Sequence, residues 1–181
     1  ADYLHLGDGL VLAVIIVPTV WYFERSSAKR TIIWLVIAVL CSGLFITAVK
    51  EIVGRPRPFE RPEIAALQVD PPLTSIPSGR SFPSGHAQTS AATATFLALR
   101  YRRGAIVFIT LAILVAISRI GLGAHTPLEV VVGICCGVIG SALVHRWMEH
   151  RHGKTLSDRV SSLNELGEKT NRRLDVLFMG H

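Results

Sequence analysis

The chain has 181 residues, of which 50% are apolar and 18% are charged, and its mean hydropathy is +0.44. Soluble domains carry about 25% charged residues. The charges here lie between long apolar runs, which excludes a disordered chain or a secreted disulfide scaffold and is typical of a polytopic membrane protein. The net charge of +6 would suit nucleic acid, but cytoplasmic loops of membrane proteins carry the same basic excess, so we expect no nucleic-acid partner.

Five apolar stretches predict five helices. The third stretch is rich in serine, threonine and alanine, which suits contact between helices better than contact with lipid. The three cysteines also lie within apolar stretches, where a thiol packs as a small hydrophobic group. The predicted fold class is therefore all-α, a polytopic transmembrane bundle of five helices. The five stretches are residues 9–23, 31–49, 87–99, 105–118 and 128–144.

The basic residues divide between the two ends of these helices. Threading five helices through a bilayer places thirteen Lys and Arg residues on one side, in the connectors 24–30 and 100–103 and in the tail after Val144. An excess of basic residues marks the cytoplasmic side, so the opposite side is expected to be extracytoplasmic, in an inner or plasma membrane. The other six basic residues oppose this bias, which predicts a function for them. They are Lys50, Arg55, Arg57, Arg61, Arg80 and Arg119.

Composition divides the chain into a membrane-embedded domain, residues 1–150, and a polar tail, residues 151–181. The tail contains apolar residues at spaced positions from Leu156 onward. Two interpretations fit it equally: an amphipathic surface helix on the cytoplasmic side, with Ser157 as its N-cap, or a frayed tail.

A long connector, residues 55–83, joins the second and third predicted helices. It contains seven prolines, at positions 56, 58, 62, 71, 72, 77 and 83, and loops of this length are often functional. Glu51 and Arg55, near its start, are expected to form local ion pairs. Four further charged residues of the connector could contact a lipid head group, but the expected interpretation is that they are solvated; they are Glu60, Arg61, Glu63 and Arg80.

Three segments carry the residues that suggest chemistry, and the predicted topology places them on one face of the membrane. They are 50–58, 82–86 and 118–129. Lys50, Arg57 and Arg119 supply positive charge, and arginine presents a planar fork that matches phosphate oxygens. Ser84 and Gly85 lie where a helix begins, so free backbone N–H groups and the helix dipole favour an anion there. Together these residues predict a phosphate-binding site that needs no metal.

Two histidines complete the predicted site. One imidazole can attack phosphorus while the other protonates the departing oxygen, since histidine titrates near neutral pH. His125 and Glu129 are four residues apart and so share one helix face. A carboxylate there can orient the imidazole and stabilise its cation. His125 is therefore the predicted nucleophile and His86 the predicted acid.

These residues resemble the type 2 phosphatidic acid phosphatase family, whose signature is also similar to that of vanadate-binding haloperoxidases. The family pattern is Lys, six residues, Arg-Pro; then Pro-Ser-Gly-His; then Ser-Arg, five residues, His, three residues, Asp. The chain matches it at residues 50–58, 83–86 and 118–125. Glu129 stands where the family has aspartate. The resemblance covers residues 9–145.

The resemblance implies roles that agree with those argued from the residues. In this family the residue matching His125 forms a phosphohistidine, the match to His86 protonates the leaving group, and the acidic residue at 129 orients the nucleophile. Membrane members typically have six helices, and the one missing from this count would precede residue 1, which fits either a naturally short form or a trimmed start. The matches that hold the phosphoryl oxygens are Lys50, Arg57, Ser84, Gly85 and Arg119.

The sequence thus predicts an integral membrane lipid phosphatase that hydrolyses a lipid phosphate or pyrophosphate monoester through a phosphohistidine. No metal or other cofactor is expected, and the expected partners are the lipid phosphate and the surrounding membrane lipids. Two alternatives remain open: a lipid phosphotransferase that uses the same site, and a lipid-binding membrane protein without catalysis. The apolar helices disfavour a soluble haloperoxidase.

Overall fold

The computed structural model describes residues 16–18, 20–22, 24–61, 63 and 79–178. Four long helices follow one another in these residues: α1 (Ala28–Val53), α2 (Gly85–Arg100), α3 (Ala105–Gly121) and α4 (Pro127–Phe178). Two short 3-10 helices, Pro58–Glu60 and Arg102–Gly104, lie in the connectors. The described residues contain one isolated antiparallel bridge, between Pro56 and Arg80, and no strand. The predicted all-α class is confirmed.

The last four predicted helices each coincide with an observed helix that extends beyond the apolar stretch. Of the first predicted helix, residues 16–18 and 20–22 are described and helical, and the rest lies outside the described residues. The largest difference is in α4, which continues through polar sequence to Phe178. Ser157 therefore lies within a helix, and its prediction as an N-cap was wrong. The charged and leucine residues of this segment are good helix formers, and no proline interrupts them.

The structure divides into two compact units, Ala1–His145 and Arg146–His181. The first contains α1, α2, α3 and the beginning of α4. The second contains the remainder of α4, where the Arg151 guanidinium lies 4.8 Å from the Trp147 ring centroid. Leu156, Val160 and Leu163 are exposed there. The assignment of residues 151–181 as a functionally separate tail stays a prediction.

Three helical segments among the described residues are long and apolar enough to cross a membrane: Ala28–Val53, Arg102–Gly121 and Pro127–Arg172. Large apolar side chains cover the outside of α1 and α3, including Leu44, Phe45 and Ile106. Such a surface suits lipid, which does not penalise exposed apolar groups as water does. The chain is an integral membrane protein.

Helix α2 lies inside the bundle. Most of its residues are buried, including Ser90, Thr93 and Phe96, and it packs against both α1 and α3. Its Gln88 side chain donates a hydrogen bond to Ser42 Oγ of α1, at 2.6 Å. The prediction that this serine- and threonine-rich helix contacts other helices is confirmed.

Three glycines let α4 approach its neighbours closely. A Cβ placed on Gly133 would lie 2.4 Å from the carbonyl oxygen of Ser84, and one on Gly137 would lie 2.4 Å from that of Gln88. A Cβ on Gly140 would lie 2.8 Å from Ser42 Cβ of α1. The backbones of α4 and α2 are therefore in contact, as in small-residue helix packing within membranes. This packing holds the beginnings of α2 and α4 side by side.

A polar cluster joins the start of α1 to the end of α2. The Glu24 carboxylate accepts hydrogen bonds from Ser27 and Tyr101, both at 2.6 Å, and from Arg100. Burial acts to raise the pKa of Glu24, but these hydrogen bonds outweigh it and lower the pKa to about 2. Burial and the hydrogen bond to Glu24 raise the pKa of the Tyr101 hydroxyl. Helices α1 and α2 are thus antiparallel, and the opposite ends carry the predicted site.

Candidate active site

The three predicted segments meet at one end of the bundle. The Ser84 N–H donates to the carbonyl oxygen of Glu129, at 3.0 Å, which joins the start of α2 to the first turn of α4. The Ser81 N–H donates to the carbonyl oxygen of Arg55, at 2.7 Å, which joins the segment before α2 to the one after α1. A Cβ on Gly85 would lie 3.6 Å from Lys50 Nζ. The end of α1 therefore lies beside the start of α2.

His125 lies in the turn between α3 and α4. Gly123 has φ 67°, a left-handed conformation that glycine adopts without steric cost. The backbone then folds back so that the N–H groups of Ala124 and His125 both donate to the carbonyl oxygen of Arg119, at 3.2 and 3.3 Å. This turn places His125 two residues before the start of α4 at Pro127, and proline is a favoured first helical residue. The His125 side chain is almost fully buried.

Glu129, in the first turn of α4, faces His125 as predicted. Its Oε2 lies 3.5 Å from His125 Nδ1 and accepts a hydrogen bond from the Thr126 N–H, at 2.9 Å. Glu129 has no exposed surface. The extra methylene relative to aspartate is accommodated within this turn, because the carboxylate still reaches both the histidine and the backbone.

Two side chains from the connector complete the surroundings of Glu129. The Ser81 hydroxyl donates to Oε2, at 2.5 Å, and Arg61 Nη2 donates to Oε1, at 2.9 Å. Arg55 Nε lies 3.8 Å from Oε1. Arg61 is buried, so the prediction that it is a solvated charge was wrong. A buried carboxylate needs such partners to remain ionised.

The start of α2 has the features of an anion-binding site. Ser84 is the N-cap, and its hydroxyl accepts a hydrogen bond from the Ala87 N–H, at 3.5 Å. Gly85 and His86 are the first residues of the helix and are half-buried. Positive charge from Lys50 reinforces the N-terminal end of the helix dipole at this point.

Arg57 and Arg119 add charge at the same end of the bundle. Burial lowers the pKa of Arg57, while the carboxylates of Glu60 and Glu129 act to raise it. The Arg57 Nε is buried and makes no hydrogen bond with any described residue. Arg119 is also buried, and its Nε donates to Ser118 Oγ, at 3.3 Å.

Some of the other charged residues in and near the connector have partners that the sequence did not predict. Arg80 pairs with Glu51 of α1, so Glu51 pairs with a distant residue rather than with a neighbour in sequence. Glu60 accepts a hydrogen bond from the Arg57 N–H, at 3.1 Å. Glu63 is exposed, as predicted.

Sequence reasoning did not single out Ser81 or the glycines of α4. Ser81 had no distinguishing pattern, since its role depends on contacts with residues far along the chain. The glycines did have one: Gly133 and Gly137 form the G-x-x-x-G spacing known from packed membrane helices.

Comparison with known proteins places this arrangement in context. Residues 31–152 match the profile of the PAP2 superfamily. A lipid A 1-phosphatase of Rhizobium johnstonii is 33% identical over 110 residues, which are 61% of this chain and 45% of that protein. A decaprenylphosphoryl-5-phosphoribose phosphatase of Mycobacterium tuberculosis is 38% identical over 96 residues, 53% of this chain and 49% of that protein. The chain spans about half the length of these curated relatives.

Two solved structures are similar over most of the chain. The crystal structure of Aquifex aeolicus LpxE has a TM-score of 0.63 and 26% identity, covering 78% of this chain and 79% of that one. The transmembrane PAP2 type phosphatidylglycerolphosphate phosphatase of Bacillus subtilis has a TM-score of 0.59 and 27% identity, covering 81% and 73%.

Proposed function

The chain belongs to the PAP2 superfamily, and from this membership we propose that it is a lipid phosphatase that hydrolyses a lipid phosphate or pyrophosphate monoester. The observation that carries the proposal is the buried pair of His125 and Glu129 beside the start of α2. A histidine held by a carboxylate next to an anion-binding helix end and several cations suits phosphoryl transfer.

The proposed reaction has two steps. The His125 Nε2 lone pair attacks phosphorus, the phosphorus–oxygen bond to the lipid breaks, and His86 gives its proton to the departing oxygen. Water then attacks the phosphohistidine, His86 takes a proton from that water, and His125 leaves with the electron pair of the phosphorus–nitrogen bond. Glu129 stabilises the imidazole cation formed in the first step.

The phosphoryl oxygens are proposed to bind at Lys50, Arg57, Ser84, Gly85 and Arg119. The buried, unpaired Nε of Arg57 supports this assignment, because a buried donor without a partner is costly unless a ligand satisfies it. These fixed charges act on the charge that develops on the transferring group. The mechanism assigns no step to a metal ion.

The substrate class is proposed from the site and from the named relatives. Those relatives are phosphatases of lipid A and of a decaprenyl-linked ribose phosphate, and a structural neighbour is a phosphatidylglycerolphosphate phosphatase. All three groups present a phosphate monoester on a lipid anchor. We therefore assign the site to a lipid phosphate without choosing among lipid backbones.

A phosphate-release assay tests this function. Purified protein in detergent should release inorganic phosphate from at least one of lipid A, phosphatidic acid, phosphatidylglycerol phosphate and undecaprenyl pyrophosphate. The activity should persist in excess EDTA, because side chains supply the positive charge, and vanadate, which mimics pentacoordinate phosphorus, should inhibit it. Label that moves from one lipid to another without free phosphate would instead indicate a phosphotransferase. A strict requirement for a divalent metal would contradict the mechanism.

The site is proposed to face the extracytoplasmic side of the membrane. Arg25, Arg30 and Arg102 are exposed at the end of the bundle opposite to the site, and basic connectors favour the cytoplasm. The basic residues near Glu129 bind carboxylates or are proposed to bind phosphate, which accounts for their departure from the positive-inside rule.

Labelling of single cysteines in intact cells tests this orientation. In a background with Cys41, Cys135 and Cys136 replaced by alanine, Glu63→Cys should react with a membrane-impermeant maleimide, and Arg102→Cys should react only after lysis. Both native side chains are exposed, so accessibility in the folded protein is matched. The reverse pattern would place the site on the cytoplasmic side.

A further inference from the structure

Ser81 occupies a position between the predicted nucleophile and its carboxylate. Its Oγ lies 2.5 Å from Glu129 Oε2 and 3.4 Å from His125 Nδ1. All three side chains are buried, and Ser81 has no exposed surface. Since His125 Nδ1 is 3.5 Å from Glu129 Oε2, the hydroxyl is as close to the imidazole as the carboxylate is.

The donors and acceptors present determine the direction of the hydrogen bonds that Ser81 makes to Glu129 and His125. An ionised carboxylate only accepts, and a serine hydroxyl has one proton and two lone pairs. At 2.5 Å the Ser81 proton must point toward Glu129, which leaves a lone pair of Oγ facing His125 Nδ1. That lone pair can only accept, so a hydrogen bond between Ser81 and His125 requires the proton on Nδ1 and the free electron pair on Nε2.

We propose that Ser81 is a positioning residue for His125, which together with Glu129 selects the imidazole tautomer whose Nε2 attacks phosphorus. This inference rests on the proposed phosphatase function. When the phosphorus–nitrogen bond forms, His125 becomes a cation and keeps its Nδ1 proton, so its bonds to Ser81 and Glu129 become charge-assisted and stronger. No proton passes to Ser81. The Ser81 hydroxyl therefore stabilises the transition state more than it stabilises the bound substrate.

The connector holds Ser81 and Glu129 in place together. The bridge between Pro56 and Arg80 and the bond from the Ser81 N–H to Arg55 fix the backbone on one side. Arg61 binds the other carboxylate oxygen, Oε1, which leaves Oε2 for Ser81, His125 and the Thr126 N–H. Arg61 therefore acts on His125 through Glu129. We assign it the same kind of positioning role.

The Ser81→Ala variant tests this role, because loss of a positioning residue should lower kcat and leave KM nearly unchanged. We expect kcat to fall about 10- to 100-fold with KM changed less than about threefold, since the contact is not with the substrate. Ser90→Ala is the matched control, because Ser90 is similarly buried but donates only to the Ala87 carbonyl oxygen of its own helix. The control should keep kcat within about twofold.

A double-mutant cycle tests whether Ser81 acts with Glu129. In a Glu129→Gln background, adding Ser81→Ala should lower kcat by less than about threefold, because residues that act as a unit are not additive. Equal losses in both backgrounds would overturn the proposal. Arg61→Met is a second test that leaves Ser81 unchanged. It should also lower kcat, because it removes the partner of Glu129 Oε1. Its matched control is Arg172→Met, which removes only an exposed pair with Glu168.

The outcomes separate this inference from the proposed function. If wild-type protein and His125→Ala are equally active or equally inactive on the lipid panel, the proposed function fails and this inference fails with it. If His125→Ala is inactive while folded Ser81→Ala and Arg61→Met keep the wild-type kcat, only the positioning role is wrong. Melting temperatures in detergent show whether each variant is folded.

Discussion

Replacement of His125 by alanine is expected to lower phosphate release by about 10⁴- to 10⁶-fold, the loss typical when a catalytic nucleophile is removed. No other group is proposed to form the bond to phosphorus. The cations around the site bind the phosphate but do not break its phosphorus–oxygen bond. KM or lipid binding should change much less, because the phosphate-binding groups remain. The measurement is phosphate release from the active lipid, compared with binding of the same lipid.

Two further observations make this result specific. Brief reaction of the wild type with radiolabelled lipid phosphate should leave acid-labile, base-stable label on the protein, as expected of phosphohistidine, and His125→Ala should carry none. His150→Ala is a suitable control, since His150 is exposed in the unit that begins at Arg146. Substantial turnover by folded His125→Ala would contradict both the nucleophile and the mechanism.

Replacement of Gly137 by alanine is expected to destabilise the bundle by about 2–3 kcal/mol, the upper part of the range for overpacking. The new Cβ would lie 2.4 Å from the Gln88 carbonyl oxygen and 2.9 Å from the Ala92 nitrogen. Both are backbone atoms of α2, which cannot rotate away as a side chain can. The two helices must therefore move apart, and contacts along their interface are lost.

Thermal unfolding in detergent measures this effect. We expect the melting temperature of Gly137→Ala to fall by roughly 5–10 °C. Gly153→Ala is the matched control, because Gly153 also lies within α4 but has no atom within 4 Å of the added Cβ. There alanine should be neutral or stabilising by up to about 1 kcal/mol, through its better helix propensity. Equal melting temperatures for the two variants would contradict the close packing of α4 on α2.

Much of the fold could be predicted because its signals are local. Hydropathy located the four long helices of the described residues, and the composition of α2 indicated that it is buried within the bundle. Hydropathy did not locate the helix ends: apolar runs marked the membrane portion of α4, but the helix continues to Phe178. Helix propensity and the absence of proline, rather than hydropathy, determine that continuation.

The candidate site was predictable to the extent that its residues lie in short motifs. The spacing between His125 and Glu129 indicated that they face each other, and the order of the three motifs with the helix topology indicated one shared end of the bundle. The structure brings these segments together. The roles of His86, Arg57 and Arg119 toward a substrate remain predictions, since they depend on where the phosphate binds.

The sequence by itself determined the membrane class, the location of the four long helices among the described residues and the family, because hydropathy and motif spacing depend on neighbouring residues. Only the tertiary structure decided what surrounds Glu129. Arg61 and Ser81 are 68 and 48 residues away from it in the chain, and each reaches the carboxylate because the described ends of the connector lie beside the first turn of α4. A buried carboxylate requires partners wherever they lie in the sequence, so their identity follows from packing.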